Sequence, residues 1–251
     1  MVADDRRKKI LKLINKDGSV RVTELSQLFN ISEVTIRTDL ADMENKGLLT
    51  RVHGGAVSSY KPYYSMSFNQ RMSTNLEQKE IIAKKIAEMI EDNDTIMLNS
   101  GTTTLLVFRA IPPNLNLSIV TNSISIALEG TANPNFNIIL LGGQINSKYQ
   151  FTYGDDAIKQ LKAYNADKLI LSVDGIDAER GFSTYYDKEA EIDRIMLEQS
   201  SVSIVAADNS KFNRCAFAKI SDLSVADYIV TDTSVPDKLK AKLSKNSTKI
   251  R

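Results

Sequence analysis

The stretch that decides the fold is Asn30-Ile31-Ser32-Glu33-Val34-Thr35-Ile36-Arg37, which opens a helix predicted to end near Gly47. Ser32 is a favourable N-cap, because its hydroxyl can accept a hydrogen bond from a backbone N–H group of the first turn. Three apolar residues at helical spacing predict a buried face, namely Ile36, Leu40 and Met43. The opposite, polar face presents Thr35, Arg37 and Thr38. Side chains in the first turns of such a helix can reach base edges in the major groove of DNA.

A second helix and a hairpin flank this element. Residues 23–29 are predicted to form a shorter helix, and only three residues separate the two helices, which is helix-turn-helix spacing. Residues 48–57 contain the pair Gly54-Gly55, whose tolerance of positive φ suits the tip of a hairpin. Such a hairpin is a wing that can lay Arg51 or His53 on the sugar-phosphate backbone. For His53, a hydrogen bond inside the hairpin is an equally good interpretation.

Residues 4–16 are predicted to form the first helix, with a run of basic side chains near its start and on its outer face: Arg6, Arg7, Lys8, Lys9 and Lys12. This run either contacts DNA phosphates or is a solvated face, and the pattern fits both. The chain has 32 basic and 31 acidic side chains, a net charge of +1, so its composition does not indicate a non-specific polyanion binder. DNA binding would depend on a few placed cations and on doubling the module in a dimer.

The composition excludes several classes of protein. No apolar stretch approaches the ~20 residues of a membrane helix, and the N-terminus lacks the apolar core of a signal peptide, so we expect a cytoplasmic protein without a membrane partner. The single cysteine, Cys215, cannot form an internal disulfide and has no metal-ligand spacing around it. His53 is the only histidine, which leaves nothing for a histidine-rich metal site or a histidine-based triad. We therefore expect no metal and no cofactor.

The rest of the chain is predicted to be an α/β domain behind a linker. Residues 58–74 lose hydrophobic periodicity, and they fit either a linker or a segment whose aromatic side chains pack at a domain or dimer interface. From residue 75 to residue 251, helices alternate with short apolar strands, at 95–98, 117–121, 137–141, 168–173, 203–207 and 228–231. This alternation favours a largely parallel sheet covered by helices, whose ligands bind at the carboxyl ends of the strands.

The first of those strand ends runs into a hydroxyl-rich loop and a helix, through Asn99, Ser100, Gly101, Thr102, Thr103 and Thr104. Hydroxyls and the free N–H groups of a helix start converge there, an arrangement that favours a phosphate or another anion. The loop lacks the lysine and glycine spacing of a Walker loop and the glycine triplet of a dinucleotide site. A plain capped helix start is the alternative interpretation.

The later strand ends supply further candidates for binding a sugar phosphate. They are, in chain order, Asn122, Gly142, Gly143, Asp174, Gly175, Asp208 and Lys211. The amide and the two aspartates can bind sugar hydroxyls, the lysine can bind a phosphate, and the glycine pair lets the backbone approach a ligand closely. Taken singly, Asp174-Gly175 also fits a turn, and Lys211 also fits a solvated surface charge.

Residues 32–40, followed by 44–47 and by the His-Gly-Gly-Ala sequence at 53–56, resemble the DNA-binding signature of the DeoR/GlpR family of bacterial sugar-metabolism repressors. Two later segments, at 100–104 and 174–177, and a third at 208–212 resemble that family's effector-sensing domain, which is similar in fold to ribose-5-phosphate isomerase. The resemblance covers nearly the whole chain. It implies a repressor that senses a phosphorylated sugar or sugar alcohol.

Two positions depart from the family pattern. Thr38 stands where a second arginine or lysine is common, which removes one phosphate or base contact. Asn99 stands where many relatives have aspartate, and a pocket without that carboxylate is more favourable to an anion.

An isomerase-like enzyme with an attached DNA-binding module is the alternative function. Aldose–ketose isomerisation needs a base for a carbon-bound proton and a group that stabilises the enediolate. Asp174 and Asp177 are present, but residues 186–191 replace the isomerase loop of lysine and glycines, and a helix is predicted at 187–199. We therefore predict a regulator without enzyme activity. A protein–protein adaptor that docks through the helix-turn-helix is a third interpretation, and it predicts no salt-sensitive DNA binding.

Together these observations predict a winged helix-turn-helix domain at residues 1–57, a linker at 58–74 and an α/β effector-sensing domain at 75–251. Two or more copies, as a homodimer or tetramer, would read a repeated operator in double-stranded DNA. A phosphorylated sugar bound in the second domain would shift the population toward an arrangement that no longer fits the operator.

Overall fold

The computed structural model describes residues 3–17, 19–45, 48–52, 54–57, 66–233, 235 and 249–251. The chain divides into two compact units, Met1–Met66 and Ser67–Arg251, and each is considered by itself. Three features predicted from the sequence lie outside the described residues: the helix end at Gly47, the side chain of His53, and residues 58–65 of the linker.

The described part of the first unit consists of α1 (Ala3–Asp17), β1 (Ser19–Arg21), α2 (Val22–Phe29), α3 (Glu33–Asn45), β2 (Thr50–Val52) and β3 (Gly55–Val57). The strands form one antiparallel sheet in the order β1-β3-β2, in which β2 and β3 are the predicted wing. The predicted apolar face of α3 is confirmed, since its three residues are at most 1% exposed: Ile36, Leu40 and Met43. They pack with Ile10 and Ile14 of α1.

Local hydrogen bonds set the turn between α2 and α3. Asn30 ends α2 at a φ of 53°, a left-handed conformation that asparagine adopts more readily than most residues. The Ser26 hydroxyl donates to the carbonyl of Ile31 at 2.6 Å. The Ser32 hydroxyl accepts the backbone N–H of Thr35 at 3.3 Å, so Ser32 caps α3 as predicted.

The described helices of the second unit are α4 (Phe68–Ser73), α5 (Leu76–Ala87), α6 (Thr102–Ala110), α7 (Ile124–Gly130), α8 (Asp155–Leu161) and α9 (Asp187–Glu198). Its described strands are β4 (Thr95–Leu98), β5 (Leu117–Thr121), β6 (Phe136–Leu140), β7 (Gln144–Asn146), β8 (Phe151–Tyr153), β9 (Ala166–Ser172), β10 (Gly175–Asp177), β11 (Gly181–Thr184), β12 (Ser200–Ala206), β13 (Ala218–Ser221), β14 (Tyr228–Val230) and β15 (Lys249–Ile250). Residues 68–73, which we predicted to lie in the linker, form α4, and Phe68 is buried in the core of this unit. The second unit therefore begins before residue 75.

Seven of these strands form one parallel sheet in the order β15-β14-β12-β9-β4-β5-β6. The chain starts at β4, extends outward through β5 to β6, and then returns to the other side of β4 with β9. The connections that follow β4 and β9 therefore diverge. Such a switch point leaves a crevice at the carboxyl ends of the two strands, where ligands of open α/β sheets bind.

The sheet is covered on both faces, as the sequence predicted. Alternate residues of β9 enter the two layers, with Leu169 and Leu171 packing on the side of α9 and Ile170 on the side of α5 and α6. The six predicted strands all belong to this sheet; β4 and β5 have the predicted bounds, and the ends of the other four differ by up to three residues. The sequence did not predict the antiparallel pair β7–β8, the antiparallel sheet β10-β11-β13 or the strand β15. Within the described ranges, no helix is both long enough and apolar enough to cross a bilayer.

Candidate functional site

The start of α3 presents the predicted DNA-reading side chains on one face. Ser32, Arg37 and Thr38 are exposed, and Thr35 is partly exposed beside them. Val34, which the sequence analysis did not single out, is 73% exposed on the same turn. An apolar side chain in this position can contact the methyl group of thymine. The exposure of Val34 could have been predicted from the sequence, because Val34 does not lie on the helix face that carries Ile36, Leu40 and Met43.

Contacts within α3 leave Arg37 able to contact DNA but already engage the hydroxyl of Thr38. Arg37 Nη2 donates to Glu33 Oε2 at 2.8 Å, and both side chains are exposed. Surface pairs of this kind contribute no more than about 1 kcal/mol, so Arg37 can exchange Glu33 for a phosphate or a guanine edge at small cost. Thr38 Oγ1 donates to the carbonyl of Val34 at 3.0 Å, so its hydroxyl is already used inside the helix.

The wing holds Arg51 against the far end of α3. The Nε and the backbone N–H of Arg51 both donate to the carboxylate of Glu44, each at 2.7 Å, and these bonds lower the pKa of Glu44. Gly55 is required where β3 meets β1, because a Cβ at this position would lie 2.2 Å from the carbonyl oxygen of Val20. Arg51 is therefore positioned by the same helix that carries the reading face.

Arg6 and Arg7 of the basic run in α1 have structural partners. Arg6 is 7% exposed, and its Nε donates to Asp39 Oδ2 at 2.5 Å. Arg7 donates to Asp39 at 2.8 Å and to Asp42 at 2.6 Å. Burial raises the pKa of Asp39, but the hydrogen bonds from the two arginines outweigh burial and the pKa is lowered. These arginines fix α1 to α3, whereas a phosphate contact remains a prediction for the exposed residues of the run, Lys8, Lys9 and Lys12.

The predicted anion loop of the second unit lies at the switch point between β4 and β9. Its hydroxyl residues are at most 6% exposed: Ser100, Thr102, Thr103 and Thr104. A Cβ on Gly101 would lie 1.6 Å from Ser172 Oγ, so the loop packs directly on β9. Gly101 is the N-cap of α6 and supplies no side-chain hydrogen bond to the first turn. The N–H groups of that turn are therefore not capped by a side chain, as an anion site requires.

Asn99, the residue after β4, joins the carboxyl end of β4 to that of β9 through its side-chain amide. Its Nδ2 donates to the carbonyl of Ser172 at 3.0 Å and to Asp193 Oδ1 at 3.1 Å, and its Oδ1 accepts the backbone N–H of Ser172 at 3.0 Å. Burial raises the pKa of Asp193 well above its ordinary value, and the carboxylate of Glu189 adds to the rise. An aspartate at position 99 would face Asp193 directly, and asparagine avoids that pair of carboxyl groups.

Asp174 is the centre of a polar cluster beside the loop. Its Oδ1 accepts from Arg71 Nη1 at 3.5 Å and lies 3.8 Å from Lys211 Nζ. Its Oδ2 accepts from the Thr184 hydroxyl and from the backbone N–H of Tyr185, both at 3.1 Å. Lys211 is 4% exposed, so it is not the solvated surface charge that the sequence alone allowed.

Gly175, the residue after Asp174, has a packing role. It lies in β10, and a Cβ would meet Ser183 Oγ at 2.7 Å and the carbonyl oxygen of Arg214 at 2.8 Å. The pair Asp174-Gly175 therefore leads into a strand, and glycine is needed there for close approach of the neighbouring chain.

Lys79 is a buried cation of this site that was not predicted from the sequence. Lys79 is 1% exposed, and its Nζ donates to the carbonyl of Arg71 at 2.5 Å and to Thr102 Oγ1 at 3.1 Å. Burial lowers the pKa of Lys79 to about 8, and the positive charge of Lys211 contributes to the decrease. The sequence did contain a feature that could have predicted this burial: Lys79 lies one turn before Ile82, on the buried face of α5.

Glu189 joins the anion loop to the cluster around Asp174. Its Oε1 accepts from the Ser100 hydroxyl at 3.1 Å, and its Oε2 lies 2.7 Å from Thr184 Oγ1, so Glu189 and Asp174 share the one hydroxyl proton of Thr184. Burial raises the pKa of Glu189, and the carboxylate of Asp174 adds to the rise. The loop after β4 and the last residue of β11 are thus connected through one carboxyl group.

Asp208 and Asn75 complete the cluster. Asp208 Oδ1 accepts from Asn75 Nδ2 at 3.1 Å and from the backbone N–H of Ser210 at 2.8 Å. Burial raises the pKa of Asp208, but the charge of Lys211 and the hydrogen bonds from Ser210 outweigh it, so the pKa is lowered. The structure therefore brings three predicted residues together, Asp174, Asp208 and Lys211, beside the loop that begins at Ser100.

Three other predicted residues have different neighbours. Asn122 Nδ2 donates to a carbonyl of β8 at 3.3 Å, and the N–H of Gly142 donates to a glutamine of α8 at 3.0 Å. A Cβ on Gly143 would lie 2.5 Å from another β8 carbonyl oxygen. These residues follow β5 and β6, which lie on the opposite side of β4 from β9. Their contact with an effector stays a prediction.

An open surface pocket of about 420 Å³ lies elsewhere, beside α6, α7 and β6. Two charged residues line it, Arg109 and Glu129, and they pair with each other at 2.6 Å. The switch point, where loops from several strands converge on buried charges, is the stronger candidate site.

Both units match known protein families. Residues 6–61 match the DeoR-like helix-turn-helix domain, and residues 74–233 match the DeoR C terminal sensor domain. The chain is 36% identical to a putative aga operon transcriptional repressor of Escherichia coli O157:H7, over 92% of this chain and 87% of that protein. It is 34% identical to the lactose phosphotransferase system repressor of Streptococcus mutans, over 98% of each chain. It is 32% identical to the glycerol-3-phosphate regulon repressor of Escherichia coli K12, over 94% and 93% of the two chains.

Among solved structures, ribose 5-phosphate isomerase A of Methanocaldococcus jannaschii is similar with a TM-score of 0.42 and 16% identity, over 55% of each chain. The relatives named above are described as transcriptional repressors, and this chain is likewise a DNA-binding transcriptional regulator. With a DeoR-type domain matching each of its two units, the chain belongs to the DeoR/GlpR family of sugar-metabolism transcriptional repressors.

Proposed function

We propose that this protein represses a carbohydrate-utilisation operon and that a phosphorylated sugar or sugar alcohol, bound at the switch point between β4 and β9, controls its DNA binding. It acts in the cytoplasm as a homodimer or tetramer on repeated sites in double-stranded DNA. One observation carries the proposal: three cations of low exposure, Arg71, Lys79 and Lys211, lie at the switch point. Arg71 and Lys211 pair with Asp174, and Lys79 donates to Thr102 at the start of α6.

The chemistry of this site suits an anion that also carries hydroxyl groups. Lys79 and Lys211 are 1% and 4% exposed, and burying like charges is unfavourable unless anions compensate them. A phosphate would add negative charge and accept hydrogen bonds from both cations and from Thr102. The carboxylates of Asp174 and Asp208 can accept hydrogen bonds from the hydroxyls of the sugar. Donors for a phosphate thus lie next to acceptors for a carbohydrate.

The first unit supports the DNA-binding half of the proposal. Arg37 is exposed at the start of a capped helix and forms a surface ion pair with Glu33, which it can exchange for a base or a phosphate. The wing places Arg51 at the other end of the same helix. In a symmetric oligomer two such modules would read two half-sites of an operator.

The proposal is tested with the full-length protein in two assays. Fluorescence anisotropy against fragments of the host chromosome identifies the operator, and a thermal-shift panel of triose, pentose and hexose phosphates and sugar-alcohol phosphates identifies the effector. We expect at least one compound of the panel to raise the melting temperature and to change operator affinity. Operator DNA should change the affinity for that compound by the same factor, because binding linkage is reciprocal.

Two variants separate the two halves. Arg37→Ala should lose about 1–3 kcal/mol of specific operator binding while keeping the thermal shift. Lys211→Ala should keep operator binding and lose the response to the compound. A protein that prefers no DNA fragment, or that responds to no compound of the panel, would overturn the proposal.

A further inference from the structure

The two edges of the seven-stranded sheet differ in how they are protected. At one edge β15 consists of Lys249 and Ile250, and Arg251 follows it. Short length and basic side chains are features that keep an edge strand from pairing with another chain. At the other edge β6 has five residues, with neither a charge nor a proline among them. Of these two edges in the described part of the chain, only that of β6 lacks such protection.

The absence of charge extends well beyond β6. Residues 130–147 contain no aspartate, glutamate, lysine or arginine, although 25% of the residues in the whole chain are charged. A segment of this length would ordinarily carry about four charged side chains. The edge of the sheet and the turns on both sides of it are therefore electrically neutral.

The backbone of β6 offers hydrogen bonds on its outer side. In a parallel pair, alternate residues direct both backbone groups to the neighbouring strand. The carbonyl of Asn135 and the N–H of Leu141 both bond to β5, so the odd-numbered residues face that strand. Ile138 and Leu140 therefore direct their N–H and C=O groups away from β5, and among the described strands β6 has no second neighbour. Such a row of donors and acceptors fits another β-strand.

Apolar side chains lie beside this edge on one face of the sheet. Phe136 and Ile138 are partly buried against the core on the side of α6 and α7, and Leu140, two residues on, is exposed. Gly130, at the end of α7, lies so close to Ile138 that a Cβ would come within 2.6 Å of its side chain. Leu128 of the same helix is 72% exposed. A strand paired with β6 would thus also lie beside uncovered apolar surface.

We propose that β6 pairs with β6 of a second copy of this chain, antiparallel about a twofold axis at Ile138, so that the two sheets become one continuous sheet. Ile138 would exchange both backbone hydrogen bonds with its own copy, and Leu140 would lie opposite Phe136 of the second copy. This pairing rests on the proposed function, which requires an oligomer, and it names the surface that forms the oligomer.

The charge distribution favours a second copy over a different partner. Close to a twofold axis each side chain lies near its own copy, so any charge there would face a like charge. The neutral segment around Ile138 avoids this repulsion. A charged partner would find no complementary group on β6 itself. Self-pairing therefore accounts both for the unprotected edge and for its missing charges.

Cysteine cross-linking of the full-length protein tests the register. In a hydrogen-bonded antiparallel pair, opposite Cα atoms lie roughly 5.5 Å apart, which a disulfide can span. Ile138→Cys, in a Cys215→Ser background that removes the exposed natural thiol, should form a covalent dimer on mild oxidation. Leu140→Cys in the same background is the matched control. Its copy would lie roughly 14 Å away along the paired strands, too far for a disulfide.

Sedimentation equilibrium tests the strength of the contact. Leu140→Lys should weaken self-association about tenfold or more, because pairing would bury the new charge beside Phe136 of the second copy. Phe217→Lys makes the same change at an exposed position on a different strand connection, and it should leave association unchanged. Circular dichroism shows whether each variant is folded, and for one that is not, the cross-linking comparison decides.

The assignment is wrong if Ile138→Cys cross-links no faster than Leu140→Cys, or if Leu140→Lys associates as tightly as Phe217→Lys. Either result moves the interface elsewhere and leaves the proposed function standing, as long as the unmodified protein is an oligomer. An unmodified protein that sediments as a monomer at tens of micromolar would overturn both this interface and the oligomeric state in the proposed function. Operator binding and the response to sugar phosphates are measured separately, so their failure would not be confused with either result.

Discussion

Replacing Lys79 with methionine should change the stability of the protein in a pH-dependent way. Lys79 is almost fully buried, and burial together with the charge of Lys211 lowers its pKa from 10.5 to about 8. The charged form is therefore less favourable in the folded protein than in the unfolded chain. Methionine fills a similar volume and carries no proton, so the difference between the two proteins isolates this one ionisation.

The size of the effect follows from the shift in pKa. A decrease from 10.5 to about 8 corresponds to about 3 kcal/mol, at about 1.4 kcal/mol for each unit of pKa. Below pH 8 both folded and unfolded chains carry the proton, so the destabilisation by the charge is fully present. As the pH rises from 8 toward 10.5 the folded state loses its proton first, and this destabilisation disappears. The unmodified protein should therefore gain about 2 kcal/mol relative to Lys79→Met between pH 7 and pH 9.5.

Urea denaturation of both proteins, followed by circular dichroism at several pH values, measures this difference directly. Other groups titrate in the same range, but they are common to both proteins and cancel in the comparison. A constant difference between pH 7 and pH 9.5 would refute the reasoning, since it would mean that Lys79 keeps an ordinary pKa in the folded state.

Three further substitutions test other parts of the structure. Asp39→Ala leaves Arg6 buried without its carboxylate, and urea denaturation should show a loss of about 3–5 kcal/mol from the first unit, against a much smaller loss for Asp42→Ala at a half-exposed ion pair. Gly55→Ala puts a Cβ 2.2 Å from a backbone oxygen of β1, so the wing should be displaced and operator affinity measured by anisotropy should fall. Asp193→Asn should destabilise the protein less than Asp208→Asn at pH 7, because the pKa of Asp193 is raised and that of Asp208 is lowered. Melting temperatures in the reverse order would contradict those assignments.

The parts of the fold that the sequence predicted are those with local causes. In α3, the N-cap at Ser32 and the spacing of Ile36 and Leu40 lie within a few turns of one another, so the pattern contains all the information. The strands β4 and β5 are short apolar runs buried on both faces, and their predicted bounds match the structure. Neither prediction needed knowledge of a distant segment.

The candidate site was predicted in part, for a reason that concerns strand order. The rule that ligands bind at the carboxyl ends of parallel strands applies to every strand of the sheet. It does not say which ends are neighbours. Asp174 and Lys211 follow β9 and β12 on one side of β4, whereas Asn122 and Gly142 follow β5 and β6 on the other. Only the order of the strands separates the two groups, and that order depends on long-range pairing.

Arg71 and Lys79 were missed because their roles depend on contacts across the fold. Arg71 lies in a six-residue helix with one fully buried side chain, which is too short to show a period. Lys79 occupies the buried face of α5, where a lysine is normally assumed to reach solvent. Its partners, the Arg71 carbonyl and Thr102, belong to a different helix and to the loop after β4. Periodicity marks that face as buried, but it does not show what a charge there would contact.

The same variant, Lys79→Met, can separate a ligand from a structural residue. In either role, methionine leaves two polar partners without their donor, which costs about 1–3 kcal/mol for each buried group, and it also removes the buried charge, which offsets part of that loss at pH 7. The change in stability therefore does not separate the two roles, whereas the response of the melting temperature to inorganic phosphate does. If Lys79 binds the effector's anionic group, Lys79→Met should lose that response. If phosphate still raises the melting temperature of the variant as much as that of the unmodified protein, Lys79 is a structural residue that holds α4 to the start of α6.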